Sequence, residues 1–247
     1  MLRNRSISLI GFLTVLLVLC LCSNTIAIEG YDAQKGYQYV SFGRYPQTAD
    51  GGVEPILWRV LAVTDDYVYL LSEYVLFNHR VHEDYKEYEQ FKGEFKRTEI
   101  FEILNGVFIN EAFDTFEITY IVQDDALGRV FLVSADDLAN KSYGFKNNKA
   151  RQAFGTPYAI ANGLFVYRNT PEARKTSPYW TRTRSEKLLS GVRCTKAAGN
   201  VGYIRCVVMN EGIRPAVRLS RSVVLEGTGM IGEPYHVIIE ERKQEIE

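Results

Sequence analysis

The sequence predicts an α+β fold, and three observations support this. Short runs of β-branched and aromatic residues, bounded by turn residues, indicate strands in both the N-terminal and the C-terminal parts of the chain. Two stretches of helical periodicity lie between these parts. Strands and helices do not alternate, which argues against a parallel sheet with crossover helices. A composition of 46% hydrophobic and 24% charged residues excludes a disordered or collagen-like protein.

Residues 1–27 are predicted to be a signal peptide. Arg3 and Arg5 precede an apolar run of 14 residues from Leu9 to Cys22, and the small residue Ala27 offers a cleavage site. The run is too short to cross about 30 Å of hydrocarbon comfortably. We therefore expect a secreted or extracytoplasmic protein, with an uncleaved N-terminal membrane anchor as the alternative. Cleavage would leave 27 basic and 30 acidic residues, a net charge of −3.

The remaining chain is predicted to form one domain with an extension at each end. Residues 28–37 are polar and are expected to be a linker. Residues 38–225 are expected to form the domain. Residues 226–247 are expected to be a C-terminal extension that ends in a charged tail.

The first part of the domain is predicted to consist of strands. Residues 38–42 alternate in polarity and are followed by Gly43-Arg44-Tyr45-Pro46, which indicates a strand that runs into a turn. The apolar runs 56–63 and 67–71 flank Thr64-Asp65-Asp66 and predict a β-hairpin.

Helical periodicity follows in the middle of the chain. Aromatic residues in 82–97 are spaced by three or four positions, and apolar residues in 100–113 continue a helical period. Residues 129–133 predict a strand, and Ser134 with Asp137 resembles a capping box. Residues 148–161 could form another helix, interrupted at Gly155 and Pro157.

The C-terminal part predicts four strands, at residues 179–184, 191–196, 202–209 and 213–219. Cys194 and Cys206 lie symmetrically about Asn200 in the predicted hairpin. In that register they would face each other, so we expect a structural disulfide rather than free or catalytic thiols.

Positive charge is concentrated near the C-terminus. Residues 168–221 contain 12 lysines and arginines against 3 acidic residues, which suggests an anionic partner. The predicted ligand-binding residues in this region are Trp180, Arg182, Arg184, Arg193 and Arg205. The alternative is that these arginines pair with the acidic N-terminal part of the chain and stabilise the fold. Nucleic acid is not expected as a partner of an exported chain with an overall negative charge.

No catalytic or metal site is predicted. The chain contains no Walker loop, nucleophile elbow or GxGxxG motif. His79 and His82 precede Glu83 in an order that does not fit the zincin pattern, and His236 is the only other histidine. We therefore expect a polar surface loop there, with no metal and no cofactor.

Seven short motifs in order resemble a family of uncharacterised bacterial extracytoplasmic domains, a domain of unknown function. The resemblance covers residues 38 to 220. The motifs are Phe42-Gly43-Arg44-Tyr45-Pro46-Gln47, Trp58-Arg59-Val60-Leu61, Leu70-Leu71-Ser72-Glu73, Leu104-Asn105, Val130-Phe131-Leu132-Val133-Ser134, Tyr179-Trp180-Thr181-Arg182 and Gly212-Ile213-Arg214-Pro215-Ala216-Val217. Tryptophans often found before the Leu-Asn motif in that family are absent from this sequence.

The last motif is similar to the element that ends formylglycine-generating and related C-type-lectin-like domains. This likeness implies short helices around a small, twisted, mainly antiparallel sheet with long loops. It implies no chemistry, because Cys194 and Cys206 are not the closely spaced pair that binds copper in those oxidases. Glu233-Pro234 is followed by Tyr235, so the loop that binds calcium in sugar-binding lectins is missing as well.

Within these motifs, structural roles are favoured. Trp58 is expected to anchor the core. Arg214, followed by Pro215, is expected to be a buried arginine bonded to carbonyls or a carboxylate, with ligand contact as the alternative.

The leading functional hypothesis is an exported, non-catalytic recognition module that binds an anionic glycan or an extracellular or envelope protein through the basic C-terminal sheet and its loops. An enzyme related to the formylglycine-generating type, using a metal or redox cysteines, is the first alternative. An envelope-associated structural protein is the second.

Overall fold

The computed structural model describes residues 28–167 and 175–239, and this part of the chain has an α+β fold with short helices and mainly antiparallel sheets. The predicted signal peptide, residues 1–27, and the predicted charged tail, residues 240–247, lie outside the described residues. The strands are β1 (Tyr39–Pro46), β2 (Val53–Val63), β3 (Tyr67–Ser72), β4 (Phe77–Asn78), β5 (Val130–Leu132), β6 (Ala153–Phe154), β7 (Thr176–Ser177), β8 (Tyr179–Arg184), β9 (Gly191–Thr195), β10 (Val201–Arg205), β11 (Gly212–Ile213), β12 (Pro215–Ser220), β13 (Val224–Glu226) and β14 (Tyr235–Ile238).

A large sheet of seven strands has the order β13-β14-β1-β2-β3-β12-β5. Only the β1–β14 pairing is parallel. The predicted hairpin is confirmed as β2 and β3, in which Val60 pairs with Leu70. Both strands carry buried β-branched and aliphatic residues, as expected for strands covered by other elements.

A small sheet of five strands has the order β10-β9-β8-β11-β4. In it β8 and β11 are parallel, and the other pairs are antiparallel. A further two-stranded ribbon consists of β6 and β7. Because β10 is at the edge of the small sheet, its side chains are mostly exposed or half-buried.

The helices are short and lie mainly between β4 and β8. The α-helices are α1 (Tyr85–Gln90), α2 (Glu99–Glu102), α3 (Ile109–Ala112), α4 (Thr115–Thr119), α5 (Asn148–Arg151) and α6 (Pro157–Ala161). The wider π-helical turn Ile103–Phe108 joins α2 to α3, so the predicted helix over 100–113 is present. The predicted helix over 82–97 is reduced to α1 and the 3₁₀ turn Phe95–Arg97.

Hydrogen bonds of the Asn105 side chain connect the π-helical turn to the large sheet. Its side-chain oxygen accepts hydrogen bonds from Arg129 N at 2.8 Å and Val130 N at 3.1 Å. Its amide group donates to Val130 O at 2.9 Å. The Asn105 side chain therefore provides hydrogen-bond partners for backbone groups at the free edge of β5, where no further strand pairs.

The core contains Trp58, as the sequence predicts. Trp58 is fully buried, donates from Nε1 to Phe42 O at 2.7 Å and stacks on Phe113 with ring centroids 6.2 Å apart. Arg214 is also fully buried, and its Nε donates to Ser72 O at 2.7 Å. Pro215 begins β12 opposite Leu132.

The turn predicted at residues 43–46 is wrong, because β1 continues through it. Gly43 has a φ of 67° and lies where the β1–β2 register shifts. A β-bulge at glycine absorbs the extra residue without ending the strand. Gly43 is required there because a Cβ would overlap the Phe113 ring.

The disulfide predicted between Cys194 and Cys206 is absent, and both cysteines are free and buried. The hairpin closes at Lys196 and Asn200, not around Asn200, so Cys194 pairs with Gly202. Cys206 lies four residues beyond that partner, where its N donates to Ser190 O. Four residues of strand span roughly 13 Å, more than a disulfide can bridge.

Both ends of the described chain contact the large sheet. Ile28 is buried, and Tyr31 N donates to Leu61 O at 3.4 Å in the segment expected to be a linker. In the segment expected to be a C-terminal extension, β14 pairs with β1 and Tyr235 is buried. The large sheet therefore extends past residue 225.

Candidate functional site

The five residues predicted to bind a ligand lie on the small sheet, but they do not form one surface. Trp180 is fully buried, and its Nε1 donates to His79 O at 2.8 Å. It pairs with Cys194 across β8 and β9 on the covered face of the sheet. Trp180 is therefore a core residue and does not reach a ligand.

Arg182 points into the protein and is neutralised there. Its Nη1 donates to Leu132 O at 2.6 Å and to Asp137 Oδ2 at 3.1 Å. Asp137 also accepts from Ser134 N at 2.7 Å, and Ser134 Oγ accepts from Asp137 N at 2.9 Å, which confirms the predicted capping box. Arg182 therefore follows the alternative expectation, in which an arginine of this region pairs with an acidic residue of the same chain.

Arg184, Arg193 and Arg205 are less covered. Arg184 is half-buried and donates from Nε to Leu189 O at 3.3 Å. Arg193 is half-buried, pairs with the exposed Tyr203 and shares a face with the exposed Arg205. Within the described residues none of these three arginines has a carboxylate within 4.0 Å. The predicted site is thus reduced to a small patch at the sheet edge.

Other arginines of the C-terminal part are also turned inward. Arg218 Nη1 donates to Asp124 Oδ2 at 2.6 Å, and its guanidinium lies 4.9 Å from the Tyr67 ring centroid. Arg214 lies 5.2 Å from the Tyr179 ring centroid, and burial lowers its pKa. Three of the 12 cations that the sequence concentrates in 168–221, Arg182, Arg214 and Arg218, are therefore used inside the fold.

A cavity of about 530 Å³ lies beside the large sheet, and we call it the aromatic–lysine groove. The residues that define it are Tyr31, Tyr37, Arg59, Glu73, Lys146, Lys149 and Phe154. Its volume is in the range of small-ligand pockets. Half of the Phe154 side chain is exposed at its rim.

Two tyrosines from the segment expected to be a linker form one wall of the groove. The Tyr31 and Tyr37 ring centroids are 4.7 Å apart, and Tyr37 Oη donates to Tyr143 O at 2.9 Å. Gly144 has a φ of 86°, and a Cβ there would overlap the Tyr37 hydroxyl. Glycine thus allows both the left-handed turn and the close approach of the tyrosine.

The floor of the groove is a buried ion pair. Arg59 Nε and Nη2 donate to the two carboxylate oxygens of Glu73, both at 2.7 Å, and the guanidinium lies 4.5 Å from the Tyr37 ring centroid. Burial disfavours the charged form of Arg59, but Glu73 outweighs it, so the pKa of Arg59 is raised. The Arg59 guanidinium therefore keeps its charge, and the Glu73 carboxylate lies directly against it.

Two further cations are left uncompensated in the groove. Lys146 Nζ lies 5.3 Å from the Tyr31 ring centroid, and Lys149 lies at the last turn of α5. Both side chains are exposed, and in the described part of the chain neither has a carboxylate within 4.0 Å. The groove therefore combines aromatic faces with an excess of positive charge.

A second cavity, of about 380 Å³, lies beside the small sheet, and we call it the Glu211 pocket. Phe165, Tyr167 and Pro178 form apolar walls, and Lys196 with Glu211 provides its charges. The Glu211 side chain is 8% exposed, and its Oε1 lies 4.0 Å from Lys196 Nζ.

The cysteines and histidines do not assemble a reactive centre in the described residues. No group of three or more potential metal ligands is found there. Burial raises the pKa of both Cys194 and Cys206 to about 11, so both stay protonated at neutral pH. His82 packs on Phe91, and His79 lies 3.7 Å from Glu99.

Comparisons with family models, with curated proteins and with solved structures find no match to this chain. Among the helices of residues 28–167 and 175–239, none is long and apolar enough to cross a membrane.

The groove residues are not among those predicted from the sequence to bind a ligand. A local signal was present, because no acidic residue occurs between Asp137 and Glu172 while Lys141, Lys146 and Lys149 follow closely. Nothing local indicates that Tyr31 and Tyr37 approach this stretch, since more than 100 positions separate Tyr37 from Tyr143.

Proposed function

We propose that this protein is a non-catalytic recognition module that binds a carboxylated glycan in the aromatic–lysine groove. The observation that carries the proposal is the Lys146 ammonium beside the Tyr31 ring, in a groove whose only carboxylate among its described lining residues is held by Arg59. Export of the protein and a C-type-lectin-like variant of the α+β fold belong to the same proposal; the first rests on the apolar run of residues 1–27 and the second on sequence resemblance.

The aromatic wall suits the body of a sugar. The Tyr31 ring is an apolar surface with a polar rim, on which the C–H face of a sugar ring can pack, and the Tyr37 ring supports it at a centroid distance of 4.7 Å. Tyr37 is fixed by its bond to Tyr143 O, so its ring loses little freedom when a ligand binds.

The two lysines suit the charge of a glycan acid. Lys146 and Lys149 are separated by three positions and line the same cavity. A carboxylate that enters the groove would accept charge-assisted hydrogen bonds from both ammonium groups. The Arg59–Glu73 pair is already saturated, so it contributes no competing negative charge.

Calorimetric titration of the full chain with an oligogalacturonate and its methyl ester tests the proposal. We expect the acid to bind at least about tenfold more tightly than the ester, because the ester lacks the charge for the lysines. Replacing both lysines, Lys146→Met with Lys149→Met, should remove that preference.

The matched control replaces two arginines of the predicted site on the small sheet, Arg184→Met with Arg205→Met. This variant has the same change in charge and should bind like the unchanged protein. Loss of binding in the arginine variant but not in the lysine variant would place the ligand on the small sheet and overturn the proposal. Equal affinity for acid and ester would do so as well.

A further inference from the structure

We infer that the Glu211 pocket is a second binding site, for a zwitterionic ligand of the α-amino acid type with an apolar side chain. The pocket shares no lining residue with the aromatic–lysine groove, so this inference does not depend on the proposed function.

The central observation is a buried carboxylate oxygen without a partner. Glu211 Oε2 is fully buried and accepts no hydrogen bond from any described residue. Leaving a buried charged acceptor unsatisfied is costly, and native proteins seldom do so without a functional reason. An ammonium group entering the pocket would supply the missing donor.

Lys196 does not supply that donor itself. Its Nζ lies 4.0 Å from the other oxygen, Oε1, which is longer than a hydrogen bond. The same ammonium lies beside the Cys194 thiol and acts to lower its pKa, although burial and Glu211 raise that pKa more strongly. Lys196 thus lies beside Glu211 as a separate positive charge, 35% exposed and able to meet a ligand carboxylate.

The charge pattern selects the ligand class. A positive and a negative group 4.0 Å apart match the ammonium and carboxylate of one α-amino acid, which are separated by a single carbon. A simple cation or a simple anion would satisfy only one of the two protein charges and leave its own charge beside a like one.

The apolar walls suit the remaining side chain. The rings of Phe165 and Tyr167 have centroids 6.4 Å apart, and Pro178 and Ala197 complete the lining around about 380 Å³. That volume accommodates a single aromatic or branched aliphatic side chain with its α-carbon groups.

The pocket is built by hydrogen bonds between its walls. Phe165 N donates to Asn210 O at 3.0 Å, next to Glu211. Gly212 N donates to Pro178 O at 3.0 Å, and Thr176 Oγ1 donates to Ala197 O at 2.8 Å. A site preformed in this way loses little entropy on binding.

Calorimetric titration of the full chain with three ligands of one shape tests the inference: L-phenylalanine, 2-phenylethylamine without the carboxylate, and 3-phenylpropanoate without the ammonium. We expect L-phenylalanine to bind at least about tenfold more tightly than either analogue, since each analogue loses one charge-assisted contact. Absence of phenylalanine binding, or equal affinity for the three, overturns the inference.

Two variants assign the contacts. Glu211→Gln keeps the shape and should weaken phenylalanine binding roughly tenfold to hundredfold while leaving phenylpropanoate binding no weaker. Lys196→Met should weaken phenylalanine but not phenylethylamine. Lys187→Met, an exposed lysine outside the pocket, is the matched control and should change none of the three.

A readout independent of folding uses NMR on the unchanged protein. Phenylalanine should give intermolecular contacts to the protons of Phe165 and Ala197. Contacts to Tyr31 or Phe154 instead would place the ligand in the aromatic–lysine groove and overturn the assignment to the Glu211 pocket.

Discussion

In the small sheet Arg182 reaches inward to Asp137, whereas in the aromatic–lysine groove Lys146 and Lys149 remain exposed without a carboxylate partner in the described chain. Both regions are basic in sequence, and the arginine-rich one is the more basic of the two. Arginine can be buried with several hydrogen bonds at once, so it suits internal pairing. A basic stretch therefore indicates a ligand surface only when its cations lack internal partners.

The Arg59–Glu73 pair gives the largest expected effect in this comparison, because both members are nearly buried. Glu73→Gln leaves the Arg59 guanidinium with no compensating charge, close enough to Arg214 for the two to repel. We expect a loss of about 3–5 kcal/mol in the free energy of unfolding, measured in urea. Glu54→Gln, at an exposed carboxylate on β2, should cost less than about 0.5 kcal/mol. Equal effects would mean that the groove floor is not held by this pair.

Arg182 should have a smaller effect on the free energy of unfolding. Arg182→Met removes the donors to Leu132 O and Asp137, both half-buried or buried, and should cost about 2–3 kcal/mol. Arg205→Met, an exposed arginine two strands away, should change the same quantity by less than about 0.5 kcal/mol. If the two variants are equally stable, Arg182 is not internally paired in solution and the contrast between the two basic regions fails.

Gly144 lies in the lining of the groove, and its replacement should lower the free energy of unfolding less than the two preceding variants do. Gly144→Ala places a side chain in a left-handed conformation and against the Tyr37 hydroxyl. We expect a loss of about 1–2 kcal/mol in the free energy of unfolding, together with weaker oligogalacturonate binding because Tyr37 must move. Gly51→Ala provides the control, because that glycine has a similar φ of 87° but no atom near its Cβ. It should lose stability without losing affinity.

The sequence predicted elements whose signals are local. The β2–β3 hairpin follows from two apolar runs around Thr64, Asp65 and Asp66, and the helix at 99–112 from its apolar period. It did not predict the Cys194–Gly202 register. That register depends on Gly199, which lies against the backbone of Asn148 at a φ of 87°, a contact made between distant parts of the chain.

The sites were harder to predict than the fold for the same reason. Lys146 and Lys149 were visible as a basic stretch without acids, but their aromatic partner Tyr31 lies more than 100 positions earlier. Glu211 is one of three acidic residues in the basic segment 168–221. Only packing shows that its Oε2 is buried and has no partner among the described residues.

The smallest expected effect is a pH dependence of the free energy of unfolding. It should arise from the buried Glu211 carboxyl, in contrast to the exposed lysines of the groove. Burial raises the pKa of Glu211, partly offset by Lys196, so above the ordinary carboxyl pKa the folded chain still holds a proton that the unfolded chain has lost. The contribution of the Glu211 carboxyl to the free energy of unfolding is full below the pKa of the unfolded chain. It is lost as the pH rises through the raised pKa of the folded chain.

We therefore compare the free energy of unfolding of the unchanged protein with that of Glu211→Gln. The difference should fall between these two pKa values by at most about 1.4 kcal/mol per pH unit. Cys194 lies nearby but stays protonated throughout, because its own pKa is about 11. A difference that is flat with pH would show that Glu211 is hydrated, and a hydrated carboxylate needs no ligand ammonium.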